Sequence, residues 1–192
     1  MALVLMAALG GCSLSGLLGG GGGKPPVTLV TLSPEAPAPA EMARSAAAGQ
    51  AVTIATPTVP KELMAVRVPV KLTPTDVQYV TNLQLVDTPD HLFQALLSET
   101  VRRTTNRLVL DPSQSGLDPG TTVTGALTSF GYDASRREVV VAYDATMANG
   151  TAVQSRRFTA SAPADGTAAT VAPALNHAAN DVALAAAKWI GS

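Results

Sequence analysis

The stretch "TTVTGALTSFGYDASRREVVVAYDATMANGTAVQSRRFTASAP", residues 121–163, decides the fold. Over 121–134 and again over 137–150, β-branched and aromatic residues alternate with small or polar ones, the period of a strand with one buried face. A short turn at Ser135-Arg136 joins the two as a hairpin. Asn149-Gly150 is the strongest two-residue turn signal in the chain and leads into a third alternating run, 151–163. Three long strands in succession predict an antiparallel meander with one face toward a core.

Working outward, the segment after 163 changes period. From about Thr167, the residues Val171, Leu175, Ala178, Val182, Ala186 and Trp189 recur at spacings of three and four, which predicts a helix, and its many alanines let it lie close on a sheet. Trp189 belongs to that stripe and is expected to pack on the core. Before the meander, "DTPDHLFQALLSETVRRTTN" (87–106) carries a second helix. Thr88 suits the N-cap, Pro89 the first helical position and Asp90 the positive end of the dipole. Leu92, Phe93, Leu96, Leu97, Val101 and Thr104 form its apolar stripe, and Asn106 suits its end. Further strands are predicted at 27–32, 51–60, 64–70, 76–86 and 107–110, with Pro69 at an edge or bulge and a Pro/Ala-rich loop over 33–50. The fold class is therefore α+β, a mostly antiparallel β-sheet with two helices packed on one face.

Composition narrows the function. A net charge of −1 over 192 residues lacks the basic field of a nucleic-acid binder. One cysteine, Cys12, allows neither an intramolecular disulfide nor a CxxC pair. No stretch reaches about 20 uninterrupted apolar residues, so no transmembrane helix is expected.

Cys12 sits in "LGGCSLSGLLGGGGGKPP", residues 9–26. A phosphate loop would need Gly where Leu18 stands and Ser or Thr where Pro25 stands, so that reading fails. A catalytic thiol would need a base, and His91 and His177 are the only histidines, far along the chain. The third reading fits. Residues 1–11 form an apolar run ending in small residues, as a secretory signal does. Leu9-Gly10-Gly11-Cys12 resembles the bacterial lipobox, which implies cleavage before Cys12, a diacylglycerol on its sulfur and an N-acyl chain on its new amino group. Several acyl chains give a stable anchor, and the glycines that follow serve as a flexible tether. No Lys or Arg precedes the apolar run, so a basic segment is expected upstream of a start assigned too late. The expected division is 1–11 as signal segment, 12–26 as lipidated tether and 27–192 as one α+β domain. Cys12-Ser13 is compatible with sorting to the outer membrane.

Other chemistry is sparse. Arg102-Arg103, Arg136-Arg137 and Arg156-Arg157 are candidate contacts for a partner or lipid headgroups, each weighed against a plain solvated face. Neither histidine has HxxxH or HExxH spacing, so no metal site is expected. Asp87, Asp90, Asp111, Asp118, Asp133 and Asp144 fall mostly at caps and turns. No GxSxG elbow is present.

The lipobox, "VRVPV" (66–70), "LVDTPDHLFQALLSETV" (85–101), "VTGALTSFGYDASRREVVVAYDA" (123–145), "RRFTA" (156–160) and "ALNHAANDVALAAAKWI" (174–190) together resemble the ABC-type transport auxiliary lipoprotein family. The resemblance implies a non-enzymatic lipoprotein with no cofactor beyond its acyl chains. It implies a place on the periplasmic side of the outer membrane. The implied partners are an MCE-domain (mammalian cell entry) protein and an ABC permease and ATPase that move lipid between membranes; apart from the resemblance, a homo-oligomer is a candidate form. The residues alone leave a second reading open, a stand-alone periplasmic lipoprotein that binds a lipid or peptide between helices and sheet.

Overall fold

The computed structural model describes residues 27–38, 44–118 and 120–192. In chain order the strands are β1 (Thr28–Val30), β2 (Val52–Ile54), β3 (Arg67–Lys71), β4 (Val77–Leu85), β5 (Val109–Leu110), β6 (Thr121–Asp133), β7 (Glu138–Asn149) and β8 (Ala152–Pro163). Helix α1 (Pro89–Thr104) lies between β4 and β5, and α2 (Ala168–Gly191) closes the chain.

All eight strands join one sheet. The meander is as expected: β6 pairs antiparallel with β7, and β7 with β8, over nearly their whole lengths. The sheet is nevertheless mixed, since β1/β4, β2/β5, β2/β6 and β3/β6 pair parallel. The reason is the length of β6. One edge belongs to β7, while the other is served in turn by β2 at Thr121–Val123, by Thr58 at Ala126 and by β3 at Tyr132–Asp133. Residues 52–71 thus run alongside β6 in its own direction.

Both helices cover the same face. Tyr143 and Phe158 are register partners on β7 and β8 and so point the same way. The Phe93 ring of α1 packs on Tyr143 at 5.0 Å, and Trp189 of α2 packs on Phe158 at 5.7 Å. Between the layers, Val139, Val141, Leu127, Phe130, Leu97 and Leu175 are buried. Burial also pushes the Tyr143 phenol up to about 12, and its hydroxyl donates to the Thr124 carbonyl. Among the described residues no helix covers the opposite face; there Asp144 and Arg157 pair across the strands.

Several local expectations shift. The 51–60 strand contracts to β2 plus the single bridge at Thr58, because Pro57 and Pro60 interrupt the ladder. Pro69 does sit at a bulge of β3, pressed against Gly131, where a side chain would meet the Pro69 carbonyl oxygen. The β6–β7 turn is longer than Ser135-Arg136: residues 134–137 form it, and Arg137 has φ 57°, so it is turn and not strand. Asp133 organises that turn by accepting from the Ser135 and Arg136 amides. In the next hairpin Asn149 pairs with Ala152, so Gly150 and Thr151 are the loop, with positive φ at Gly150. Thr104 is exposed, and buried Thr100 takes its place in the α1 stripe, bonding back to the Leu96 carbonyl. Thr88 is the α1 N-cap residue, yet its side chain caps nothing.

Candidate functional site

The lipobox residues Leu9, Gly10 and Gly11, the lipid-attachment residue Cys12 and the glycine tether lie outside the described residues. β1 adds itself to the edge of β4, and the chain then runs across the helices. Asn176 and Asn180, one turn apart on α2, hold it. The Ser33 amide donates to Asn176 Oδ1 at 2.8 Å and the Glu35 amide to Asn180 Oδ1 at 2.8 Å. In return Asn180 Nδ2 donates to the Ser33 carbonyl at 2.9 Å and Asn176 Nδ2 to Glu35 Oε1 at 3.0 Å. The His177 ring stands 3.1 Å from the other Glu35 oxygen, and this bond, with the nearby Asp181 charge, raises the imidazole above its ordinary value. Arg103 extends the clasp from α1 by donating to the Ala36 carbonyl at 2.8 Å. Asn side chains can each offer a donor and an acceptor, so two of them read an extended backbone as a neighbouring strand would.

The three basic pairs separate. Arg102 stands 3.8 Å from Glu99 and 3.6 Å from Asp111, while Arg103 bonds Glu99 at 2.7 Å besides Ala36. Arg136 pairs with Glu138 at 3.0 Å. Arg137 adopts the left-handed turn conformation. Arg157 grips Asp144 with two bonds of 2.5 and 2.6 Å on the open face, which lowers the carboxyl below its usual range and raises the guanidinium. Arg156 differs from these. It lies on the helix side, with its guanidinium 5.4 Å from the centre of the Phe158 ring.

Arg156 opens into a groove of about 680 Å³ between β8 and the later turns of α2, shared with Phe158, Ala185, Lys188 and Trp189. Among the described residues, neither Arg156 nor Lys188 has a carboxylate within 4.0 Å. A second groove, about 300 Å³, lies on the open face beside Pro69, Lys71 and Val140.

Most aspartates do turn and cap work. Asp87 accepts from the Thr88 amide and from His91, which hold it below the usual carboxylate range. Asp111 completes a capping box with Gln114. Asp118 staples two loops by accepting from the Ala51, Gly120 and Gly49 amides, and these lower its carboxyl. Asp144 is a cross-strand partner instead, and Asp90, in the first turn of α1, has its Oδ1 buried with no hydrogen-bond partner among the described residues. Among the described residues no three of His, Cys, Asp and Glu stand together as metal ligands, and no helix is long and apolar enough to cross a membrane.

The family model of the ABC-type transport auxiliary lipoprotein component matches residues 31–187, from the clasped segment to the last turn of α2. The chain belongs to that family. No curated protein matches it. This auxiliary component is similar in fold to a DUF330 protein of Xanthomonas campestris, with TM-score 0.66 and 17% identity over 86% of this chain and 92% of that one. It is equally similar to a crystal structure described as an uncharacterized protein, with TM-score 0.66 and 12% identity over 86% and 99% of the two chains. At those identities the likeness concerns the fold.

The sequence alone had marked Arg156 only as half of a basic pair. The clasp left one signal, Asn176 and Asn180 at helical spacing among alanines, with nothing to say that they hold residues 33–35.

Proposed function

We propose that this auxiliary component is a non-enzymatic accessory lipoprotein of an ABC/MCE-type lipid transport system. In this reading it is anchored through acylated Cys12 to the periplasmic side of the outer membrane. The observation that carries it is the extent of the family match: residues 31–187 take in strands β2 to β8, helix α1, most of α2 and the clasped segment that follows β1. The anchor then has a mechanical sense. With β1 and the clasp seated, only residues 13–26 separate Cys12 from the domain. A Gly-rich chain of that length has a root-mean-square span of about 20 Å and a maximum near 50 Å. The domain rides close to the bilayer and presents itself to a membrane-bound partner at high local concentration.

Two measurements test this. Cys12→Ala is expected to leave the domain folded and move it from the membrane fraction to the soluble periplasm; unchanged membrane partitioning would overturn the anchor. Purification of the lipidated protein in mild detergent is expected to recover an MCE-domain protein with its ABC permease or ATPase. Recovery of the lipoprotein alone, under conditions that keep other envelope complexes whole, would overturn the partnership.

A further inference from the structure

We propose that the groove between β8 and the C-terminal half of α2 binds one molecule of a phosphate-bearing amphiphile. The phosphate sits between Arg156 and Lys188, and the first part of an acyl chain lies on Trp189, Phe158 and Ala185.

Four of the six arginines of the basic pairs are held by carboxylates. Arg156 and Lys188 line one groove and have no such partner among the described residues. The Phe158–Trp189 contact fixes their relative place: it sets the β8 segment before Phe158 against the last turn of α2, so both cations mark the same end. Arg presents a fork of donors to phosphate oxygens, and Lys adds a mobile point charge.

The remaining lining suits a chain. Trp189 is half-buried, its ring tilted 54° against Phe158, and it presents an apolar body with one polar N–H. Ala185 is small and exposed, leaving room beside it. A volume of about 680 Å³ falls within the range that holds small molecules. Asp181 is the one carboxylate side chain in this lining. It lies seven residues up the helix from Lys188, about 10 Å by the helical rise, and the His177 Nε2 stands 3.8 Å from it. Its charge therefore falls at the other end of the groove, and the carboxyl group of Ser192, which also lines the groove, makes no ion pair with either cation among the described residues.

This proposal names a ligand class for the transport reading and rests on that reading for its setting alone. Its test needs no transporter, so the failure of one does not imply the failure of the other.

Trp189 is the only tryptophan in the chain, so its emission reports on this groove. The full chain carrying Cys12→Ser is titrated with monomeric dihexanoyl-phosphatidylglycerol, followed by fluorescence and, in parallel, by calorimetry. The expected result is saturable binding with a blue shift, about tenfold tighter than for dihexanoyl-phosphatidylcholine. Arg156→Gln and Lys188→Gln should each weaken it by about tenfold, the size of a lost charge-assisted contact, with circular dichroism unchanged. Four results would each overturn the proposal. These are neither heat nor shift, equal affinity for both lipids, a response to inorganic phosphate equal to that of the lipid, and binding to phosphatidylglycerol vesicles without binding of the monomer. The last would mark a membrane-facing patch and not a lipid site.

Discussion

Helix α2 meets polar groups at two places and treats them in opposite ways. In its middle turns, Asn176, His177 and Asn180 are fully engaged with residues 33–35, donor matched to acceptor on both sides. In its last turns, Lys188 lines a groove with Arg156, and among the described residues neither cation has a carboxylate within 4.0 Å. The first arrangement satisfies itself, and buried or half-buried polar groups that do so hold a structure in one form. The second leaves two cations without an anionic partner, a place that an anion could take. The contrast separates a structural contact from a binding one on the same helix.

The largest way to break this comparison is Asn180→Ala. Asn180 is 6% exposed and makes bonds to the Ser33 carbonyl, the Glu35 amide and the Asn176 carbonyl. Deleting these leaves backbone groups half-buried and unpaired, at a cost of about 2 kcal/mol. A lower denaturant midpoint is expected, with faster cutting after Glu35 by a Glu-specific protease as the segment lifts. An unchanged midpoint together with an unchanged cutting rate would mean that the clasp holds nothing.

Acid and base sharpen the same point at smaller amplitude. At the start of α2, Asp165 accepts from the hydroxyls of Thr170 and Thr167 and from the Thr167 amide, which lower its carboxyl to about 2. A depressed carboxyl stabilises the fold above its ordinary value of 3.8, and that contribution disappears as pH falls toward 2. Asp165→Asn should flatten the stability profile between about pH 4 and pH 2, and a parallel profile would refute the role. His177 has the opposite sign. Its raised value means that its contribution is complete below its ordinary 6.5 and fades as pH climbs through the shifted value. Cutting after Glu35, normalised to a free peptide, should therefore quicken between pH 6 and pH 8.5, and His177→Gln should abolish that dependence.

What was legible in the chain follows from the range of each interaction. The long strands β6, β7 and β8 announce themselves by alternation, and both helices by their stripes and caps, because those patterns are local. Strands β2 and β5 lie within the runs 51–60 and 107–110 that read as strands, but their lengths of three and two residues and their parallel pairing with β6 and with each other depend on which edges were open to them. Even the turn signals gave one loop a residue short at each end and the other a residue early, since Arg137 and Gly150 take positive φ for the sake of the pairing around them. The clasp joins residues 141 to 147 positions apart, beyond any sequence spacing. Arg156 and Arg157 looked alike as a pair. Strand alternation puts them on opposite faces, one against the helices and one on Asp144.

That last division yields the finest test. Arg157 completes a two-pronged bond with Asp144, whereas Arg156 and Lys188 contact no carboxylate among the described residues. If the groove is built for a ligand, removing its charges should cost the empty protein nothing. The Arg156→Gln/Lys188→Gln double variant is therefore expected to melt within about 2 °C of the parent, the range of a neutral surface change in a chain of this length. Arg157→Gln should melt lower than either. A double variant that melts well below the parent would show that both cations have structural partners after all, and the division between the two ends of α2 would fail with it.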